Sequence, residues 1–157
     1  MENFLNSVET QELFSSLSER GFAQLKNKAT QELATRALAM ARANLKDFNQ
    51  AKIGQGNEKS RVEEIRKDQT LWIEEPMLRN LPGLKRLYED LSLLSREKLY
   101  LPVKSYECHF SLYQDGDFYR RHRDRHKGST HRLLTVLFYL NDLLPKQGGA
   151  LRIFMEN

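Results

Sequence analysis

One cysteine, Cys108, stands among 157 residues, so the chain cannot form an internal disulfide, and a reducing, cytoplasmic setting is expected. No apolar stretch approaches the ~18 residues that a membrane span requires, and no membrane partner is expected. Residues 1–5 carry no basic segment leading into an apolar run, so no secretory signal is read there. A block of one-signed charge is also missing. Lys and Arg total 25 against 21 Asp and Glu, a net charge of +4, and the signs alternate through Arg61, Glu63, Glu64, Arg66, Lys67 and Asp68. A nucleic-acid surface is more one-sided and interleaves its cations with aromatic residues, so no nucleic-acid partner is expected. Neither an internal repeat nor a low-complexity segment interrupts the chain. What remains is 39% hydrophobic and 29% charged, an ordinary globular composition with enough chain for one self-supporting core.

The first half has helical period. Residues 12–18 form a short amphipathic stretch that Gly21 punctuates. Across 22–48 the apolar positions Leu25, Ala29, Leu33, Ala37, Met40 and Leu45 recur at helical steps, alanine is frequent and proline absent. Residues 51–57, with Gly54 and Gly56, read as a loop, 69–74 as a short strand, and Pro76 and Pro82 as the bounds of a second loop. Residues 84–94 read as another amphipathic helix. Trp72 reads as core.

The period changes after residue 103. Residues 103–113 alternate, with Tyr106, Cys108 and Phe110 on one face and Glu107, His109, Ser111 and Tyr113 on the other. Asp115-Gly116-Asp117 is a turn, 118–124 a candidate strand, and the apolar run 133–140 (LLTVLFYL) the strongest strand signal, read as buried. Gly148-Gly149 marks a turn before a last strand over 150–154. Helices first and strands afterwards give an α+β expectation.

His122-Arg123-Asp124 carries the clearest chemistry. On extended backbone, residues i and i+2 point the same way, so an imidazole and a carboxylate project side by side. That pair supplies two of the three ligands of a facial iron(II) site. Taken alone, H-x-D is a weak signal that occurs by chance in many proteins and more often describes a histidine and an aspartate in a charged surface loop. His126 and His131 lie in the polar segment RHKGSTH and read as solvated loop residues, while His109 reads as a pocket-lining histidine on the face of Tyr113.

Several segments together resemble a known family, the iron(II)/2-oxoglutarate dioxygenases of the prolyl 4-hydroxylase type, most closely the oxygen-sensing branch and its bacterial relatives. They are AKIGQG at 51–56, RKDQTLWI at 66–73, YECHFSLY at 106–113, GDFYRRHRD at 116–124, RLLTVLFYLN at 132–141 and GGALRIF at 148–154. The resemblance spans about 51–157, after a helical segment over 1–50. It implies an incomplete double-stranded β-helix of jelly-roll type under the N-terminal helices. It further implies Fe(2+), 2-oxoglutarate and ascorbate as cofactors, O2 as co-substrate, and a prolyl residue of a protein or peptide as the hydroxylated group, with 2-oxoglutarate decarboxylated to succinate. Carried over residue by residue, His122 and Asp124 match iron ligands, Tyr113 and Tyr139 match phenols that reach 2-oxoglutarate, and Arg66, Asp68 and Arg132 match charges at the substrate entrance.

The resembled pattern continues beyond its GG-x-L-R-I-F segment with a second histidine ligand and a basic residue, usually arginine, that clamps the far carboxylate of 2-oxoglutarate. This sequence stops at Asn157, and on the resemblance it is expected to be C-terminally truncated and to turn over poorly. Two alternatives stay open: a catalytically inactive fragment, and a protein-binding module built on the helix over 22–48. The sequence assigns no oligomeric state.

Overall fold

The computed structural model describes residues 4–51, 64–124, 132–143 and 148–155. Helix α1, Ser7–Arg20, starts in a capping box: Asn6 accepts from the Val8 and Glu9 amides at 3.0 and 2.9 Å, and Glu9 accepts from the Asn6 amide at 2.9 Å. It ends at Gly21, whose φ of 75° places it in the left-handed region that glycine enters without a Cβ penalty. Helix α2, Lys28–Ala43, begins in a second reciprocal box between Asn27 and Thr30. The Asn27 amide group also donates to the Phe4 carbonyl at 2.8 Å and to Glu9 at 3.1 Å, fastening the N-terminus to α2.

Helix α3, Glu75–Arg79, and helix α4, Pro82–Leu99, follow the sheet's middle strand. The segment between Pro76 and Pro82, expected as a loop, is therefore partly helical. Each proline lies in the first turn of its helix, where its missing N–H breaks no hydrogen bond. The helix expected over 22–48 is shorter than its pattern, because the Asn27 box sets its start and the Asn44 cap its end.

Three short strands, β1 Asn49–Gln50, β2 Gln69–Trp72 and β3 His109–Leu112, form an antiparallel sheet in the order β1-β2-β3. The β2–β3 register pairs Leu71 with Phe110 and Trp72 with His109. Leu71 and Phe110 face the helices and join Leu33, Ala37, Leu84 and Leu87 in the core. Both long helices, α2 and α4, thus cover the same face of the sheet. Alternation turns Asp68, Thr70 and Trp72, together with His109, Ser111 and Tyr113, to the other face. That phase explains why Trp72, expected in the core, is 48% exposed.

Residues 118–124 form one isolated bridge, Arg66 with Tyr119, instead of the expected strand. The run 133–140 is neither strand nor helix, and none of it is fully buried. Phe138 and Leu140 pack against the core, but Leu137 is 60% exposed. Hydrophobicity gave this run its preference for burial; a strand also needs a ladder partner, and among the described residues it has none. Residues 150–154 are irregular for the same reason. Among the described residues no helix is long and apolar enough to cross a membrane. The loop read over 51–57 lies almost wholly outside the described residues.

Candidate metal and co-substrate site

The helix-free face of the sheet positions the site. Antiparallel hydrogen bonds from the Lys67 amide to the Phe118 carbonyl (3.0 Å) and from the Arg120 amide to the Ile65 carbonyl (2.9 Å) set Arg66 directly opposite Tyr119. Asp68, two residues on from Arg66, shares its face. Its carboxylate is fully buried and accepts from Arg66 Nε at 2.6 Å and Nη2 at 2.8 Å. The Arg66 guanidinium lies over the Tyr119 ring, 4.5 Å from its centroid, and Tyr119 stacks on His122 with centroids 3.5 Å apart and planes 13° from parallel.

His122 and Asp124 lie side by side, Nε2 to Oδ1 at 3.1 Å. His122 Nδ1 is 2.7 Å from the Arg120 carbonyl. A carbonyl only accepts, so Nδ1 carries the hydrogen, and in the neutral ring Nε2 presents a lone pair. The other Asp124 oxygen, Oδ2, accepts from Thr135 Oγ1 at 2.6 Å. A proton on Nε2 makes this contact a hydrogen bond to the carboxylate, and with that proton gone the two lone pairs face each other across a gap that a cation can fill. Bonds of about 2.1 Å at right angles around one first-row divalent ion put adjacent donors about 3 Å apart. The pair therefore fits two cis ligands of such an ion. Among the described residues no group of three or more His, Cys, Asp or Glu side chains could hold a metal. His126 and His131 lie outside the described residues.

Asp124 also borders a cleft of ≈ 470 Å³ lined by Leu101, Arg132, Leu133 and Leu134. Of the two arginines expected near Asp68, Arg66 is the one that meets it; Arg132 pairs with Glu107 at 2.8 Å and donates to the Asp124 carbonyl at 3.3 Å. The two tyrosines differ. Tyr139 donates to the Gly149 carbonyl at 3.1 Å and accepts from the Leu151 amide at 2.8 Å, which commits its hydroxyl proton to the chain in this conformation. The Tyr113 hydroxyl forms no hydrogen bond with a described residue; partial burial, then the Asp68 carboxylate, push its pKa up to about 12. His109 rests on Trp72 with ring centroids 4.9 Å apart; burial first, and then the Arg66 charge, lower its pKa. Cys108 is buried, as its strand face requires.

Sequence reasoning missed Tyr119 and Thr135. Thr135 had a signal: it is a hydroxyl inside the apolar run LLTVLFYL. Tyr119 had none without the register that sets it against Arg66.

Residues 108–157 match the model of the 2OG-Fe(II) oxygenase superfamily. Among solved structures, a prolyl-4-hydroxylase from Pseudomonas putida is similar at 28% identity with a TM-score of 0.63. The alignment covers 76% of this chain and 60% of that one, so the chain spans less than two thirds of the relative's length. No curated protein matches. Both findings point the same way as the resemblance carried by the sequence motifs: the C-terminal third of the chain is similar to the 2OG-Fe(II) oxygenase superfamily, and the fold to a prolyl-4-hydroxylase.

Proposed function

We propose that this chain carries two metal ligands of a 2-oxoglutarate- and Fe(II)-dependent dioxygenase that hydroxylates a prolyl residue in a protein. One observation carries the reading: His122 Nε2, with its ring fixed through Nδ1 on the Arg120 carbonyl, faces Asp124 Oδ1 at a separation suited to a shared cation. The prolyl substrate is supported by the likeness to a prolyl-4-hydroxylase. Iron(II), when bound, supplies the redox chemistry that couples decarboxylation of 2-oxoglutarate to hydroxylation by O2, with ascorbate keeping the metal reduced.

The chain's own residues bind and orient. His122 and Asp124 would hold the cation, and Thr135 fixes the plane of the Asp124 carboxylate. Tyr113, whose hydroxyl stays protonated across the neutral range, offers a donor to a 2-oxoglutarate carboxylate. Tyr139 shapes the neighbouring wall through residues 149–151. Arg132 stands at the rim of the cleft beside Asp124, where a peptide would enter. Arg66 and Asp68 border the same face. The oxygenase domain runs from about residue 51 and has the double-stranded β-helix architecture.

The test is a titration with Mn(II), followed by the loss of its free-ion paramagnetic resonance signal. Wild type is expected to bind, and His122→Ala and Asp124→Ala to lose binding. A wild type that binds no better than either variant overturns the assignment. A second reading is metal binding without turnover: catalytic sites of this kind use three protein ligands, and the described residues bring together two, His122 and Asp124. Succinate formation from 2-oxoglutarate with iron(II), ascorbate and a prolyl peptide separates the two: robust turnover that disappears in His122→Ala removes the silent reading.

A further inference from the structure

We infer that Tyr119 is a positioning residue for His122, and that the buried Arg66–Asp68 pair acts on the metal site through it. This rests on the reading of His122 as a ligand, and it concerns how that ligand is held. The Nδ1 hydrogen bond to the Arg120 carbonyl fixes one corner of the imidazole but leaves the ring able to swing about that contact. Tyr119 removes that freedom, because the two rings overlap face to face, 3.5 Å between centroids and 13° between planes.

Such full overlap is not the arrangement that two aromatic rings prefer, since both faces carry negative charge density and offset or edge-to-face packing is favoured. A neighbouring group must favour it here. The Arg66 guanidinium lies over the ring, 4.5 Å from its centroid, and also reaches the Tyr119 hydroxyl; with His122 stacked on one face, the other face is the one open to it. A cation there draws the ring's electron density toward itself and relieves the repulsion on the side of His122. The guanidinium cannot drift away, because its Nε and Nη2 are both bonded to the fully buried Asp68 carboxylate.

The result is one column from the buried sheet to the exposed site: Asp68, Arg66, Tyr119, His122. The one-pair bridge between Arg66 and Tyr119 supplies its register. Arg66 and Asp68, expected at the substrate entrance, thereby gain a second duty as the base of this column. A cation held by Nε2, at the edge of the His122 ring and in its plane, would make the imidazole electron-poor and strengthen its contact with the electron-rich face of Tyr119, so the column suits the cation-bound state best.

The test compares Tyr119→Phe, which keeps the ring and loses the hydroxyl, with Tyr119→Leu, which keeps bulk and loses the ring. Two quantities are read on chain 1–157: the ring-current shift of the His122 ring protons by NMR without metal, and Mn(II) affinity. Gly21→Ala, a destabilising change at the end of α1, controls for a general loss of stability. Wild type and Tyr119→Phe should show strongly upfield His122 protons and similar affinity. Tyr119→Leu should lose the shift and bind Mn(II) about tenfold more weakly, the size of effect that groups supporting a ligand usually have. Gly21→Ala should change neither reading. Unshifted His122 protons in wild type, full affinity in Tyr119→Leu, or equal weakening in Gly21→Ala each overturn the inference. A wild type that shows the upfield shift yet binds no metal sinks the metal reading and leaves the stack itself standing.

Discussion

The Asp68 carboxylate, with no exposed surface, accepts from both Arg66 Nε and Nη2, at 2.6 and 2.8 Å. The Arg66 side chain keeps 14% of its surface exposed, so the pair is buried at its anionic end and reaches water at its cationic end. Removing one partner of such a pair leaves the other desolvated and uncompensated. Asp68→Asn is expected to lower the unfolding free energy by about 3 kcal/mol, the low end for a broken buried pair because Arg66 keeps its solvent edge. Urea denaturation followed by circular dichroism measures it. The double variant Asp68→Leu/Arg66→Met should recover part of the loss; a double variant worse than the sum of the single ones contradicts this account.

His109 gives the fold an acid sensitivity. Burial against Trp72, and then the Arg66 charge, hold its pKa below the usual histidine value. The folded chain therefore favours the neutral ring, while the unfolded chain takes up a proton near pH ~6.5. The stability this contributes is present above that pH and is lost as pH falls through the lower folded value. Melting temperature should thus drop between neutral and mildly acidic pH, and His109→Gln should flatten that part of the profile. An unchanged slope in His109→Gln would assign the acid sensitivity to other groups.

Local rules carried some of this structure and failed elsewhere for identifiable reasons. The helical period over 22–48 and 84–94 marks α2 and α4, because amphipathic spacing is a local property. The i, i+2 rule brings His122 to Asp124 and Arg66 to Asp68 for the same reason. Helix α1 starts well before the stretch read at 12–18, and its signal, the Asn6 and Glu9 capping box, is in the sequence. Trp72 was legible too: with Leu71 inward, alternation turns Trp72 outward. The run 133–140 was not, since eight apolar residues state a preference for burial and not what pairs with them. Tyr119 opposite Arg66 and Arg132 on Glu107 depend on long-range register, which no window of sequence encodes.

Tyr113 should resist ionisation. Partial burial and the nearby Asp68 carboxylate raise its pKa to about 12, so the folded chain favours the protonated phenol. Its contribution to stability is present below the unfolded tyrosine value of ~10 and is lost as pH rises from there toward about 12. NMR of tyrosine carbon-labelled at the ring carbon bearing the hydroxyl should show the Tyr113 signal, identified by its absence in Tyr113→Phe, moving later than that of a free tyrosine. Asp68→Asn should bring the midpoint down, because it removes the negative charge while keeping the residue's size. A Tyr113 resonance that titrates with free tyrosine contradicts the prediction.

Thr135 should tune the candidate metal site without touching the metal. Its hydroxyl donates to Asp124 Oδ2 at 2.6 Å, while Oδ1 faces His122 Nε2 at 3.1 Å. A carboxylate turns about a soft terminal torsion, so nothing within Asp124 itself fixes the plane in which its oxygens lie. The Thr135 hydrogen bond fixes that plane, and a ligand held in advance loses less freedom when a cation arrives. Thr135→Val keeps the shape and removes the donor; Thr135→Ser restores it. Mn(II) affinity should fall roughly tenfold or more in Thr135→Val, within the range seen when a ligand's supporting hydrogen bond is lost, and return toward wild type in Thr135→Ser. The exposed, irregular backbone around residue 135 makes a general loss of stability a poor rival explanation, and equal urea midpoints for the two variants would remove it. Equal affinities for wild type and Thr135→Val would mean that Asp124 is oriented by something other than this hydroxyl, with the Arg132 contact to its backbone carbonyl the next bond to break.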